Sequence, residues 1–138
     1  MKYKIDYNCD KKYVTADIEG DFELEPLKQF IAETAEVLKK HNCRRVLHDL
    51  QSALVNMSII EIDEVPKLVS QFGIDDSLKR VLVISNDFKK YNFFGSASRS
   101  KRQNVKIFTS YSEAEQWLLG DAEFSSQAIP ISLINKSE

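Results

Sequence analysis

Apolar and polar residues alternate at the front of the chain. Tyr3, Ile5 and Tyr7 are separated by Lys4 and Asp6, the period of a strand with one covered face. Asn8-Cys9-Asp10-Lys11 is polar and turn-like, β character resumes over Tyr13–Ile18, and Gly20 closes it, so the two runs read as a hairpin. After Pro26 the period changes to that of a helix. Leu27, Phe30, Ile31, Thr34, Leu38 and His41 fall on one stripe, while Lys28, Glu33, Glu36, Lys39 and Lys40 face water. Pro26 sits in the first turn, where its missing N–H costs nothing. The helix is expected to end at His41-Asn42, and Arg45–Leu50, short and apolar, reads as a central strand.

A short polar loop then leads to Ser58, which with Glu61 fits a capping box. Ile62, Val65, Leu68, Val69 and Phe72 form the next stripe. Pro66 argues for a regular helix starting near Asp63, with residues 58–62 as an entry turn, and Gly73 suits the position just past the end. Lys79–Ser85 is a buried strand. Asp87 can cap a helix over Phe88–Arg102, Val105–Thr109 is the last strand, and Ser110 or Ser112 caps a final helix in which Ala114, Trp117 and Leu118 share a face before Gly120 stops it. The order is β-β-α-β-α-β-α-β-α, which predicts an α/β domain with a mixed five-stranded sheet and four helices, strands three to five parallel through right-handed crossovers. Residues 1–120 account for this domain. The tail 121–138 has one apolar run, Ala128–Ile134, broken by Pro130: an edge strand, an arm onto a partner, or a disordered end.

Composition narrows the function classes. The chain has 138 residues, 43% hydrophobic and 29% charged, with a net charge of −2, so bulk electrostatics predict no nucleic-acid partner. Charge is uneven locally: Asp17, Glu19, Asp21, Glu23 and Glu25 make an acidic edge, and Lys89, Lys90, Arg99, Lys101, Arg102 and Lys106 a basic zone. No signal-peptide pattern opens the chain and no run approaches a membrane span, and Cys9 and Cys43 read as reduced thiols, so a cytoplasmic protein is expected. There is no P-loop, dinucleotide-binding turn, zinc spacing or Ser-His-Asp order, so no cofactor, metal or catalytic residue is assigned.

The element order, with its residues, resembles the SpoIIAA-like family of the STAS (anti-sigma-factor antagonist) fold. The match is carried by the hairpin ending in Glu19-Gly20, by Val46-Leu47-His48-Asp49-Leu50, by Arg80-Val81-Leu82-Val83-Ile84, and by Val105-Lys106-Ile107-Phe108 followed by Glu113-Ala114-Glu115-Gln116-Trp117-Leu118. The resemblance implies a regulatory or protein-interaction module rather than an enzyme, with a protein partner or a second copy of the chain (a homodimer) as the binding target. In phospho-regulated members, Asp-Leu leads through a loop to Asp-Ser-Ser-Gly, whose serine is phosphorylated. The matching position here is Ser58, with Met57 in place of the acid and Ile59-Ile60 in place of the small residues, a weakened kinase site. The family's likeness to CRAL-TRIO domains implies an alternative role in binding lipid or another apolar molecule, or in peripheral membrane contact.

Each candidate residue has a structural alternative. Ser58 is a phosphoacceptor favoured by the helix dipole, or a plain N-cap. Asp49, Ser52, Met57 and Ser58 form a candidate interaction loop. His48 and Asp49 are neighbours on a strand and should point to opposite faces, which argues against an acid–base pair and leaves Asp49 to cap its loop. On the helix from Phe88, the residues Phe88, Tyr91, Phe94, Gly95 and Ser98 share the expected core face. Phe93 projects elsewhere, between Lys89 and Lys90. That helix is a candidate ligand or membrane element, with Phe88, Tyr91 and Phe94 lining a pocket and Lys89, Lys90 and Arg99 supplying charge for an anionic head group. Gly95 would permit close approach of another element.

Overall fold

The polar turn Asn8–Lys11 folds as its composition suggests. The Asn8 side-chain carbonyl accepts from the N–H groups of Asp10 and Lys11, both at 3.0 Å, and Lys12 takes a left-handed conformation to complete the reversal. The strands it joins are β1 (Lys2–Asn8) and β2 (Tyr13–Phe22), paired antiparallel with Tyr7 opposite Val14. A computed structural model describes residues 1–120; the tail 121–138, with its apolar run, lies outside the described residues.

Beyond the hairpin the described elements are α1 (Leu24–Lys40), β3 (Arg45–Asp49), β4 (Ala53–Val55), α2 (Ile59–Gln71), β5 (Lys79–Val83), α3 (Phe88–Ser100), β6 (Asn104–Phe108) and α4 (Tyr111–Leu119). The main path of the sheet runs β1-β2-β3-β5-β6, and every pair after the hairpin is parallel. Helices α1, α2 and α3 cover one face, over Val14, Ala16, Ile18, Val46, Leu82 and Val105. On the other face α4 packs Ala114 and Leu118 onto Leu47, Val81 and Val83.

Four local expectations need correction. The sheet has six strands, because Ala53-Leu54-Val55, expected in a loop, pairs parallel with Gly20-Asp21-Phe22. Three residues are too few for alternation to register as a period, although their buried-exposed-buried pattern is that of a strand. Gly20 accordingly does not end β2. Its φ of 83° bends the strand so that its last residues take β4 as neighbour. Helix α2 runs unbroken from Ile59 with Pro66 in its interior, where a proline typically costs about 3 kcal/mol. Pro66 is itself buried, so core packing offsets the defect; its own carbonyl also accepts from Gln103 Nε2 at 2.8 Å, although the carbonyl left without a donor by the proline is that of Ile62. Finally, His41 leaves the α1 stripe: it is the exposed C-cap, with its ring stacked on Tyr7 at 4.1 Å.

Strands β2 and β3 pair through only Val14–Val46 and Thr15–Leu47, and then part. Two side chains span the gap. Nδ1 of His48 lies 2.9 Å from the Ala16 carbonyl, which can only accept, so Nδ1 carries the proton. Asp17 Oδ1 accepts from the Asp49 N–H at 3.0 Å. The imidazole thus replaces a missing ladder donor and the carboxylate a missing acceptor.

Candidate functional site

Two regions gather the chemically notable residues. The first is the pole where the parallel strands end. Ser58 is the N-cap of α2: its Oγ accepts from the Glu61 N–H at 3.2 Å and its own N–H donates to Glu61 Oε1 at 2.9 Å, the reciprocal box its spacing predicts. Asp49 is half-buried, and its Oδ1 accepts from the N–H and Nε2 of Gln51 at 3.1 and 3.0 Å, so it ties its own loop. Ser52 is exposed and contributes its carbonyl to the Gly20 N–H. Met57 is buried in the core and belongs to no exposed surface.

Asp87 holds this pole together in an unanticipated way. It occupies the N-cap position of α3 at φ 55° and makes no side-chain bond to the helix. Its carboxylate instead accepts from the Val55 N–H at 3.1 Å, while Lys90 Nζ donates to the Val55 carbonyl at 3.1 Å. The start of α3 is therefore stapled to β4. Beside that staple, four large apolar side chains face water: Leu54 is 51% exposed, Ile59 47%, Ile60 78% and Phe88 50%. Phe88 was expected on the core face. As the first residue of α3, following the left-handed Asp87, it lies beyond the turns that pack inward, and the buried stripe is Tyr91, Phe94, Gly95 and Ser98. Phe93, on the outer face of α3, is partly exposed, and Lys89 is exposed.

The second region is a cavity of about 80 Å³ between the sheet and α1, α2 and α3. Its wall is apolar except for Thr34, His48, Arg80, Lys90 and Tyr91. Of the three aromatic residues expected over a pocket, Tyr91 and Phe94 are among the lining residues and Phe88 is not. Two of the three cations of α3 are engaged, Lys90 with Val55 and Arg99 Nη1 with the Val105 carbonyl at 3.2 Å, and the third, Lys89, faces solvent. Gly95 permits the close approach expected of it, with α3 lying on β6 so tightly that a Cβ would sit 3.1 Å from Ile107 Cδ1.

Sequence reasoning passed over Arg80 and Gln103. The signal for Arg80 was available, since a period of two puts it on the same face as Leu82 in an otherwise apolar strand. The residue is 6% exposed, and its guanidinium carbon lies 5.8 Å from the centre of the Phe94 ring. Burial lowers its pKa to about 10, which leaves it charged at neutral pH. Burial, and then the Arg80 charge, push His48 down to about 3, against the pull of the Ala16 carbonyl, so the imidazole is neutral. Burial raises the Tyr91 phenol, and Asp87 adds to the effect. His48 and Asp49 point to opposite sides of β3 and share no bond. Among the described residues, no group of three or more His, Cys, Asp or Glu side chains is placed to hold a metal ion, and no helix is long and apolar enough to cross a membrane.

No protein-family model matches the chain, and no curated protein matches it in sequence. Solved structures do. An uncharacterized protein of the DUF3478 family with a SpoIIAA-like fold, from Shewanella loihica, aligns with TM-score 0.58 and 15% identity over 85% of this chain and 92% of its own. The anti-sigma factor antagonist SpoIIAA in its unphosphorylated form aligns with TM-score 0.52 and 10% identity over 87% of this chain and 100% of its own. The chain has the SpoIIAA-like fold.

Proposed function

We propose that this domain is a non-catalytic regulatory module of STAS type that works in the cytoplasm by docking a protein partner or a second copy of itself. The observation that carries this is the cluster of Leu54, Ile59, Ile60 and Phe88, exposed at one pole and held in place by the Asp87–Val55–Lys90 staple. The fold it shares with a protein named as an anti-sigma factor antagonist supports the regulatory assignment. Ser58 lies next to Ile59 and Ile60, exposed at a helix N-terminus, where an added phosphate would meet a favourable dipole and change the charge of the docking surface. The unpaired thiols of Cys9 and Cys43 support a reducing compartment.

Photo-crosslinking in the native host tests the surface. A crosslinking residue at Ile60 or Leu54 should yield one discrete adduct, absent when it is placed at Glu36 on the outer face of α1. A self-adduct identifies the homodimer, and a foreign adduct the partner. No adduct at either position removes the docking role.

A second function, binding of a small apolar molecule or lipid in the manner of CRAL-TRIO domains, with or without peripheral membrane contact, is favoured by a different observation, the apolar cavity beneath α1–α3. Native mass spectrometry of the purified chain, with a vesicle-flotation control, tests it.

A further inference from the structure

Arg80 is a cation in a place where the described residues offer it no counter-charge. It comes from the middle of the sheet and points into the helical layer, beside Leu82 and opposite Val105. A guanidinium carries five N–H donors in a planar fork. Arg80 uses one of them, Nη1, on Gln103 Oε1 at 3.4 Å, a long bond. Gln103 cannot turn to do more, because its Nε2 is committed to the Pro66 carbonyl at 2.8 Å and Ser70 Oγ at 2.9 Å. The four ion pairs among the described residues, Lys4–Asp6, Lys11–Glu115, Lys28–Glu25 and Lys67–Glu64, all lie elsewhere. A buried charge without a partner is strongly unfavourable, so its persistence in a well-packed wall requires compensation.

The same wall holds a second unspent donor. The Tyr91 hydroxyl is buried and has no hydrogen-bond partner among the described residues. The other polar groups of the cavity are occupied. His48 donates Nδ1–H to Ala16 and is neutral, Thr34 donates to the Phe30 carbonyl, and Lys90 donates to the Val55 carbonyl. The cavity therefore presents the buried Arg80 guanidinium and one free hydroxyl in apolar surroundings, with a second cation, the half-buried Lys90, spending one donor on the Val55 carbonyl.

We infer that this cavity is a binding site for a small singly charged carboxylate, its carboxylate paired with the Arg80 guanidinium, Tyr91 as the second donor, and its apolar body against Val65, Leu78 and Phe94. This rests on the small-molecule role described above and specifies the ligand's chemistry. The planar fork of Arg80 matches a carboxylate in two parallel bonds. A single negative charge matches the one fully buried cation, Arg80, because Lys90 is half-buried and held on the Val55 carbonyl. It is short because about 80 Å³ is roughly half the volume of an apolar cavity that takes up benzene, which suits a body of about two to four carbons.

Titration of the isotope-labelled full-length chain with butyrate, and separately with 1-butanol, followed by NMR, tests the assignment. Butyrate should shift the Arg80 Nε–H and the Val81 and Leu82 amides saturably, at least tenfold more tightly than butanol. Arg80→Met should keep the fold, since it replaces an unpaired buried charge with an apolar chain of similar length, and should lose at least tenfold in butyrate affinity while still binding butanol. Should Arg80→Met fail to fold, Arg80→Lys keeps the charge without the fork and should weaken butyrate severalfold. Tyr91→Phe should weaken it about threefold. Competition by octanoate as effective as by butyrate would support the Arg80 pairing but overturn the limit of about two to four carbons. Equal binding of butyrate and butanol, or undiminished butyrate binding by Arg80→Met, would overturn the carboxylate site and leave an apolar pocket. The absence of saturable binding by butyrate, butanol and octanoate alike would remove the pocket and the site together.

Discussion

His48 makes stability depend on pH in a range where few other groups of this protein do. Its ring is buried, neutral and bonded through Nδ1–H to Ala16, and its pKa is lowered from 6.5 to about 3 by burial and by the Arg80 charge. In the unfolded chain the imidazole regains its ordinary value and binds a proton as soon as the pH drops below it. The stabilisation is therefore complete above 6.5 and is lost as the pH falls toward 3. Each unit of separation corresponds to about 1.4 kcal/mol, so lowering the pH from 7.5 to 5 should cost about 2 kcal/mol through this residue alone. That is a substantial part of a typical domain's stability, roughly 5–15 kcal/mol. Carboxylates add their own slopes at lower pH, in both directions: Asp75 and Glu115 are lowered by hydrogen bonds, and Asp17 is raised by burial. The comparison that isolates His48 is with His48→Asn, whose amide N–H can still reach the Ala16 carbonyl. Urea unfolding of both proteins at pH 7.5, 6.5, 5.5 and 5 should show the difference between them changing by about 2 kcal/mol in favour of the variant on acidification. A difference that stays constant, or a titration of the assigned His48 ring near 6.5 by NMR in the folded protein, would refute the claim that His48 is held neutral.

Ser58→Ala removes one half of the capping box and should cost about 1 kcal/mol in chemical unfolding, whereas Ser58→Asp, another good N-cap, should stay within about 0.5 kcal/mol of the parent. Gly95→Leu must push Ile107 and Arg99 aside and should destabilise by about 1–3 kcal/mol, read as a lower denaturation midpoint at unchanged slope. Leu54→Asp combined with Ile60→Asp alters only exposed positions. Its melting temperature should match the parent while the crosslinked adduct is lost, and a large drop in melting temperature would show these side chains to be structural.

Most of the fold was legible because its elements are long and strongly periodic. The α1 stripe from Leu27 to Leu38, the parallel strands around Val46, Val81 and Val105, and the Ser58–Glu61 box all follow from spacing alone. The features that escaped depend on tertiary contacts. Strand β4 exists because Gly20 bends β2 toward it. Pro66 is tolerated inside α2 because its ring is buried in the core, packing that spacing does not reveal. Asp87 precedes a helix as a cap should, yet its carboxylate serves Val55, and no local pattern encodes that choice. For the candidate site, alternation could place Arg80 on the inner face, but that no acid among the described residues faces it is a fact of packing.

The parting of β2 and β3 makes the width of the sheet at that point depend on two side chains rather than on a backbone zipper. Rotating one imidazole or shortening one carboxylate would change the spacing between the strands without breaking any peptide-to-peptide rung. The seam is therefore a natural place for sequence drift, or an engineer, to adjust how much room lies under the helices while leaving the scaffold intact.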